Sequence, residues 1–336
     1  MLNSAKVVDI AGYSFSGKSA VYDMLSSYSK TTAHGVEFEF DLVRSRGGIL
    51  DLQDSLVRNW GLVRSSVTLR DFIRLTYFLG GNGRLRDRIF RGGPQFGVKF
   101  PNFDSIVREY ITALTTDSWR AYWPFLDFAE GRVVFLFNKY VSKFYSKKND
   151  VYLSRLDEEN FLQITSNFLD RLIAAGLDTN SNVILMNNCC DPSDPAPTLS
   201  LFSDAVCIVV DRDPRDIYLS AFNARDPDVG RAAIGNGIDT FISRFKVLRA
   251  SSSKDSPLVL RIAFEDLALD YDNTKQRIVE HVGADLIGVD DPKCSSFDPD
   301  KSAANVGQWR KNSVYHKHRA EIIKIESELG SYLTHY

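Results

Sequence analysis

The stretch VVDIAGYSFSGKSAVYDMLSSY, Val7 to Tyr28, decides the fold. Val7 to Ala11 is a short apolar run with β-branched residues, interrupted by Asp9. GYSFSGKS follows from Gly12 to Ser19, and AVYDMLSSY then carries apolar residues at helical spacing. The order predicts strand, glycine loop, helix. The loop satisfies the pattern G-x-x-x-x-G-K-[ST] at every specified position. Gly12 and Gly17 let the backbone turn so that successive N–H groups face one anion, and the helix that follows adds its positive end. Lys18 supplies a mobile charge and Ser19 a hydroxyl. A phosphate-binding loop is expected here.

Working outward, three further apolar runs predict buried strands: Asn182 to Asn187, Ala205 to Val210 and Leu258 to Ile262. Continuous apolar runs set between helices suit parallel strands covered on both faces. The alternation predicts an α/β fold of P-loop type, a doubly wound parallel sheet with helices on both faces. Thr31 to Arg46 predicts an extended loop or short strand. From Leu50 to about Ser146 the chain predicts mostly helix, rich in aromatics and arginine. LDEENFLQITSNFLDRLIAAG predicts an amphipathic helix with Asp157 as N-cap and Gly176 as C-cap. The chain from His316 predicts one last helix, and Ser251 to Ser256 a surface loop. The whole is expected to be a single α/β domain with a mainly helical insertion at about 50–180 forming the acceptor side.

The 336 residues are 44% hydrophobic and 25% charged, with a net charge of -2. That is globular composition, with no global bias toward nucleic acid or anionic membranes. No run approaches the roughly 20 apolar residues of a membrane span, and the N-terminus does not resemble a signal peptide. Cys189, Cys190, Cys207 and Cys294 lack zinc spacing, and adjacent cysteines rarely bridge, so reduced thiols and a cytoplasmic location are expected.

Two more segments carry chemistry. In CIVVDRDPRDIYLSAFN, Cys207 to Asn223, a strand ends at Asp211 and a helix presents Ser220 two turns on. Strand ends are where ligands bind in open α/β sheets. Arg212 and Ser220 could clasp one phosphate through a planar fork and a hydroxyl. The competing reading is a capping cluster, with Arg215 paired to the aspartates. In NVGQWRKN, Asn305 to Asn312, Gly307 permits close backbone approach, Trp309 offers either a flat face or a core side chain, and Arg310 is a cationic donor.

The SGKS loop, the RDPRD-x-x-x-S turn and the C-terminal GQWRK together resemble the sulfotransferases that use 3′-phosphoadenosine 5′-phosphosulfate (PAPS). RIAFEDLALDY, Arg261 to Tyr271, is similar to a segment those proteins place between the second and third motifs. The resemblance implies that Ser14, Phe15, Ser16, Gly17, Lys18 and Ser19 cradle the 5′-phosphosulfate. It implies that Arg212 and Ser220 hold the 3′-phosphate, and that Gly307, Trp309 and Arg310 close over the nucleotide. It implies no obligatory metal. The chain departs from the family at Phe15, where many members carry a basic residue, and at Lys18, where they carry Thr or Ser; Lys18 would take over the bridging-oxygen role.

The acceptor would be a small molecule or glycan, and no nucleic-acid partner is expected. The general base is sought in AHGVEFEFD, where Glu39 ranks before Glu37 and His34. An acid beside aromatics resembles the carbohydrate-modifying branch. Lys99 and the C-terminal histidines His281, His316, His318 and His335 are read as surface or structural. Two other readings stay open: a P-loop kinase or NTPase using ATP-magnesium with Asp211 as the metal-site acid, and a non-catalytic nucleotide-binding protein.

Overall fold

The computed structural model describes residues 5–123, 149–250, 256–288 and 297–334, together with 131, 133 and 136. The chain forms two compact units. The first comprises Met1–Phe40, Leu177–Leu199 and Asp204–Tyr336; the second comprises Asp41–Gly176 and Ser200–Ser203.

The first unit is built on β1 (Lys6–Ala11), β2 (Thr31–Ala33), β5 (Val183–Asn187), β6 (Ala205–Asp211) and β7 (Val259–Ala263). These make one sheet in the order β2-β5-β1-β6-β7. All four pairings are parallel. The fold is the α/β, P-loop-type parallel sheet the sequence predicts. Val8, Ile10, Val183, Leu185, Val206 and Ile208 face the Lys18–Ser26 and Tyr271–Val282 helices in one apolar cluster. Val7, Ile184, Met186, Cys207 and Val209 of the opposite face are buried as well. Burial on both faces explains why these strands carry unbroken apolar runs.

Asp9, the one acidic residue of β1, is buried and has a structural task. Its two carboxylate oxygens accept the N–H groups of Cys189 (2.9 Å) and Cys190 (2.8 Å). It thereby fixes the turn that leaves β5, where Asn188 adopts a left-handed backbone with φ 52. Cys189, Cys190 and Cys207 are buried and not disulfide-bonded; Cys294 and His335 lie outside the described residues.

The second unit packs the Leu62–Leu79, Phe103–Leu114 and Glu158–Gly176 helices around aromatic side chains. Tyr110 stacks on Phe168 at 4.1 Å and its hydroxyl meets Thr165 at 2.9 Å. Asp157 caps the last of these helices by accepting the Asn160 N–H at 2.8 Å, while Gly176 lies within it.

Several local readings change. The region from Leu50 is not only helical: β3 (Asp117–Ala121) pairs antiparallel with β4 (Asn149–Leu153). β3 exposes four of its five residues, DSWRA, so no alternation of burial marks it. The last helix is two, Asn312–Lys317 and Arg319–Glu328, broken at His318. Most of the Ser251–Ser256 loop lies outside the described residues, and no described helix is long and apolar enough to cross a membrane.

Candidate active site

Parallel strands place their carboxyl ends on one edge of the sheet, the edge where α/β folds bind ligands. Here that edge collects the Gly12–Ser19 loop from β1, Asn188 from β5, Arg212 from β6 and Phe264 from β7. All belong to the first unit.

The loop is anchored at four points. The Gly12 N–H donates to Asn188 Oδ1 at 3.2 Å. The Tyr13 hydroxyl donates to the Leu248 carbonyl at 2.9 Å. Phe15 has left-handed backbone, φ 66, and its carbonyl accepts from Arg212 at 3.2 Å. Gly17, φ 86, starts the helix beneath the Phe264 ring; a Cβ there would lie 2.3 Å from Phe264 Cδ2. Glycine is therefore required at this position both for conformation and for space. The side chain of Phe15 packs against the apolar cluster that includes Ile217 and Phe241. Ser14 and Ser19 are exposed, while Ser16 is buried with no hydrogen-bond partner for its hydroxyl.

The structure brings Arg212 and Ser220 together. Arg212 donates to Ser220 Oγ at 3.2 Å and to the Asn305 carbonyl at 2.6 Å, and its guanidinium lies 4.9 Å from the Phe264 ring centre. Arg212 is buried, and its Nε has no partner. Buried polar atoms in proteins are almost always paired. The unpaired guanidinium N–H of Arg212 is what an anion would satisfy. A cavity of about 310 Å³ opens here, lined by Gly17, Ser19, Arg212, Phe264, Lys301 and Asn305, with the carboxylates of Asp23 and Asp298 also on its wall and Asp298 paired to Lys301. The residues present thus fit a phosphate-bearing nucleotide.

The capping reading of the same turn also describes real contacts, but buried ones. Asp213 caps the Pro214–Phe222 helix through the Arg215 N–H and holds the Arg215 guanidinium at 2.7 Å. Arg215 continues to Glu326 at 2.8 Å. Asp216 accepts the Gly307 N–H at 2.7 Å, and burial raises its carboxyl above the usual range. Arg212 thus bridges the loop and the Asn305 carbonyl, while Asp213, Arg215 and Asp216 bind the C-terminal segment further along. The Trp309 ring carries guanidinium contacts: Arg215 lies 3.6 Å from its centre and Arg310 4.9 Å.

Glu265, one residue beyond Phe264, was not singled out by sequence. Its Oε1 accepts the Asp213 N–H at 2.9 Å, joining the EDL segment to the RDPRD turn. Burial pushes its carboxyl up to about 7.

Of the three candidate bases, the structure brings Glu39 to the loop. Its Oε1 stands 3.8 Å from Lys18 Nζ and accepts from Asn188 Nδ2 at 2.7 Å. Glu37 is exposed, and His34 lies with its ring edge-on to Phe38 at 6.0 Å. Asn188 thereby connects Gly12 to Glu39. The only advance signal for it was its place immediately after a parallel strand. Asp211 is committed elsewhere: both of its carboxylate oxygens accept from Arg249, one at 2.8 Å.

No known family model matches the sequence, and no curated protein does. The solved structures to which the chain is similar include the following three, all at low identity. The sulfotransferase domain from the Synechococcus PCC 7002 olefin synthase shares 13% identity over 96% of this chain and 93% of that one, with a TM-score of 0.38. Sulfotransferase STF1 from Mycobacterium tuberculosis H37Rv shares 9% over 90% and 76%, with a TM-score of 0.33. Retinol dehydratase, in complex with androsterone and the inactive cofactor PAP, shares 13% over 94% and 69%, with a TM-score of 0.29.

Proposed function

We propose that the protein transfers a sulfuryl group from PAPS to a hydroxyl of an acceptor, a carbohydrate or another small molecule. The observation that carries this reading is Arg212. It joins the loop carbonyl of Phe15 to Ser220 and keeps a buried, unpaired Nε beside a polar cavity. An Arg–Ser pair at that distance from the loop suits a second phosphate on the nucleotide, the group that distinguishes PAPS from ATP.

When bound, PAPS supplies the sulfuryl group, which passes in line to the acceptor oxygen as the bond from sulfur to the 5′-phosphate oxygen breaks. The chain's own residues position and balance charge, which is most of what such transfers need. Loop N–H groups and the Lys18 ammonium neutralise the phosphate left behind. Glu39 takes the proton of the acceptor hydroxyl, and Asn188 keeps its carboxylate beside Lys18. Arg212 and Ser220 hold the 3′-phosphate, with Gly307 and Arg310 nearby on the segment that Arg212 binds through the Asn305 carbonyl. The ATP-magnesium reading would need Asp211, which is engaged by Arg249.

Calorimetry tests the proposal. Adenosine 3′,5′-bisphosphate should bind without added metal, and ATP-magnesium should bind more weakly. Arg212→Ala should weaken bisphosphate binding by about 2 kcal/mol, roughly thirtyfold. Tight ATP-magnesium binding with none of the bisphosphate, or an unchanged Kd in the variant, would overturn it.

A further inference from the structure

The segment RLRDRIFR, Arg84 to Arg91, has no part in the site above and belongs to the second unit. Leu85–Phe90 is a short helix, and successive residues on it are turned by about 100°. Asp87 and Arg91, one turn apart, hold it to the unit. Asp87 accepts the Asn82 N–H at 3.1 Å and lies 3.7 Å from Arg91. Arg91 makes two 2.9 Å bonds to Asp104 and covers the Tyr77 ring at 4.7 Å. The opposite pole of the helix carries Leu85 and Ile89, 74% and 67% exposed, and Phe90, 70% exposed, lies further round, past Arg86. Arg86 and Arg88 stand on the two flanks of that pole. Among the described residues, neither they nor Arg84 form an ion pair.

We propose that this helix docks the protein on the surface of an anionic lipid bilayer. An apolar pole with cationic flanks is the arrangement of helices that lie in the interface plane. The apolar side chains enter the acyl boundary, while arginine stems follow them and keep their guanidinium groups among the lipid phosphates. The helix is short, so the attachment is peripheral and reversible. A second copy of the chain fits this face poorly. Two-fold pairing sets the same patch against itself, which would bring Arg86 and Arg88 of one copy against those of the other with no acid between them. The proposal does not depend on the sulfuryl-transfer reading.

The test is co-sedimentation of the full chain with vesicles of phosphatidylcholine, alone or with a minor fraction of phosphatidylserine. Binding is expected to the anionic vesicles only, falling as salt is raised. The combined change Leu85→Ser, Ile89→Ser, Phe90→Ser should abolish it. Arg86→Glu with Arg88→Glu should weaken it at least about 25-fold, at about fivefold for each positive charge lost near the surface. All the changed residues are exposed, so circular dichroism and the urea midpoint should stay as in the unchanged protein. No binding to anionic vesicles, or equal binding by the serine variant, would overturn the proposal. So would a concentration-dependent dimer in ultracentrifugation that the serine substitutions dissolve.

Discussion

Glu37 and Glu39 are two positions apart and have opposite surroundings. Glu37 is exposed. Glu39 is bonded by Asn188 and faces Lys18. Glu39→Gln should therefore lower kcat for transfer by roughly 10²–10⁴, the usual range for a general base, with bisphosphate affinity changed less than about twofold because the amide keeps its shape. Glu37→Gln should leave both unchanged. Equal losses in the two variants would remove Glu39 from the reaction. The sequence ranks Glu39 first from its aromatic neighbours alone, and the decisive contact is illegible there. Asn188 has no titratable group and stands 149 residues from Glu39, so only the finished sheet brings them together.

At the scale of elements, the loop between β1 and the first helix is held tightly enough that small changes should be felt. Gly17→Ala adds a methyl group to a backbone at φ 86 and sets it against the Phe264 ring. It should destabilise the protein by about 2–3 kcal/mol, combining left-handed strain with displacement of the ring. Gly35→Ala is the control: its φ is 101 but nothing lies within 4 Å of the added Cβ, so only the backbone cost of about 1 kcal/mol remains. Urea unfolding of both variants measures the difference, and equal losses would show that Phe264 does not constrain the loop. The four long core strands and the glycine loop were legible because burial on both faces leaves unbroken apolar runs. The β3–β4 pair was not, because Trp119 and Arg120 are both exposed and carry no periodic mark. The break at His318 was hidden as well. That histidine is buried and its ring meets Phe222 edge-on at 4.7 Å, a tertiary contact inside a segment whose local pattern is helical throughout.

Across the whole molecule, Glu265 couples stability to pH. Burial raises its carboxyl from 4.5 to about 7, against a smaller opposing effect from the Asp213 N–H. Between those values the folded chain keeps a proton that the unfolded chain has released. Its contribution is therefore fully present below about pH 4.5, lost as pH rises to about 7, and level above that. Glu265→Gln keeps an oxygen to accept from Asp213 and has no proton to lose. The stability difference between pH 5 and pH 8 should shrink by about 2–3 kcal/mol relative to the unchanged protein. Urea unfolding at the two pH values tests this, and an unchanged difference would show that Glu265 titrates normally. The same residue shows why two motifs far apart in the chain act together: the EDL segment supplies the acceptor that holds the RDPRD turn.

The position of β1 has a consequence for how the protein comes into being. It precedes the other strands of its sheet in the chain and lies at the centre, with Lys6 beside Val183 and Val7 beside Ala205. Neither neighbour exists until the long stretch between β1 and β5 has been made. Such distant pairings are slow to form and leave apolar strands exposed meanwhile. The Gly12–Ser19 loop, though it follows the earliest strand of the sheet, is thus among the last features to mature. Nascent chains that end before Ala205 would present one edge of β1 unpaired to chaperones.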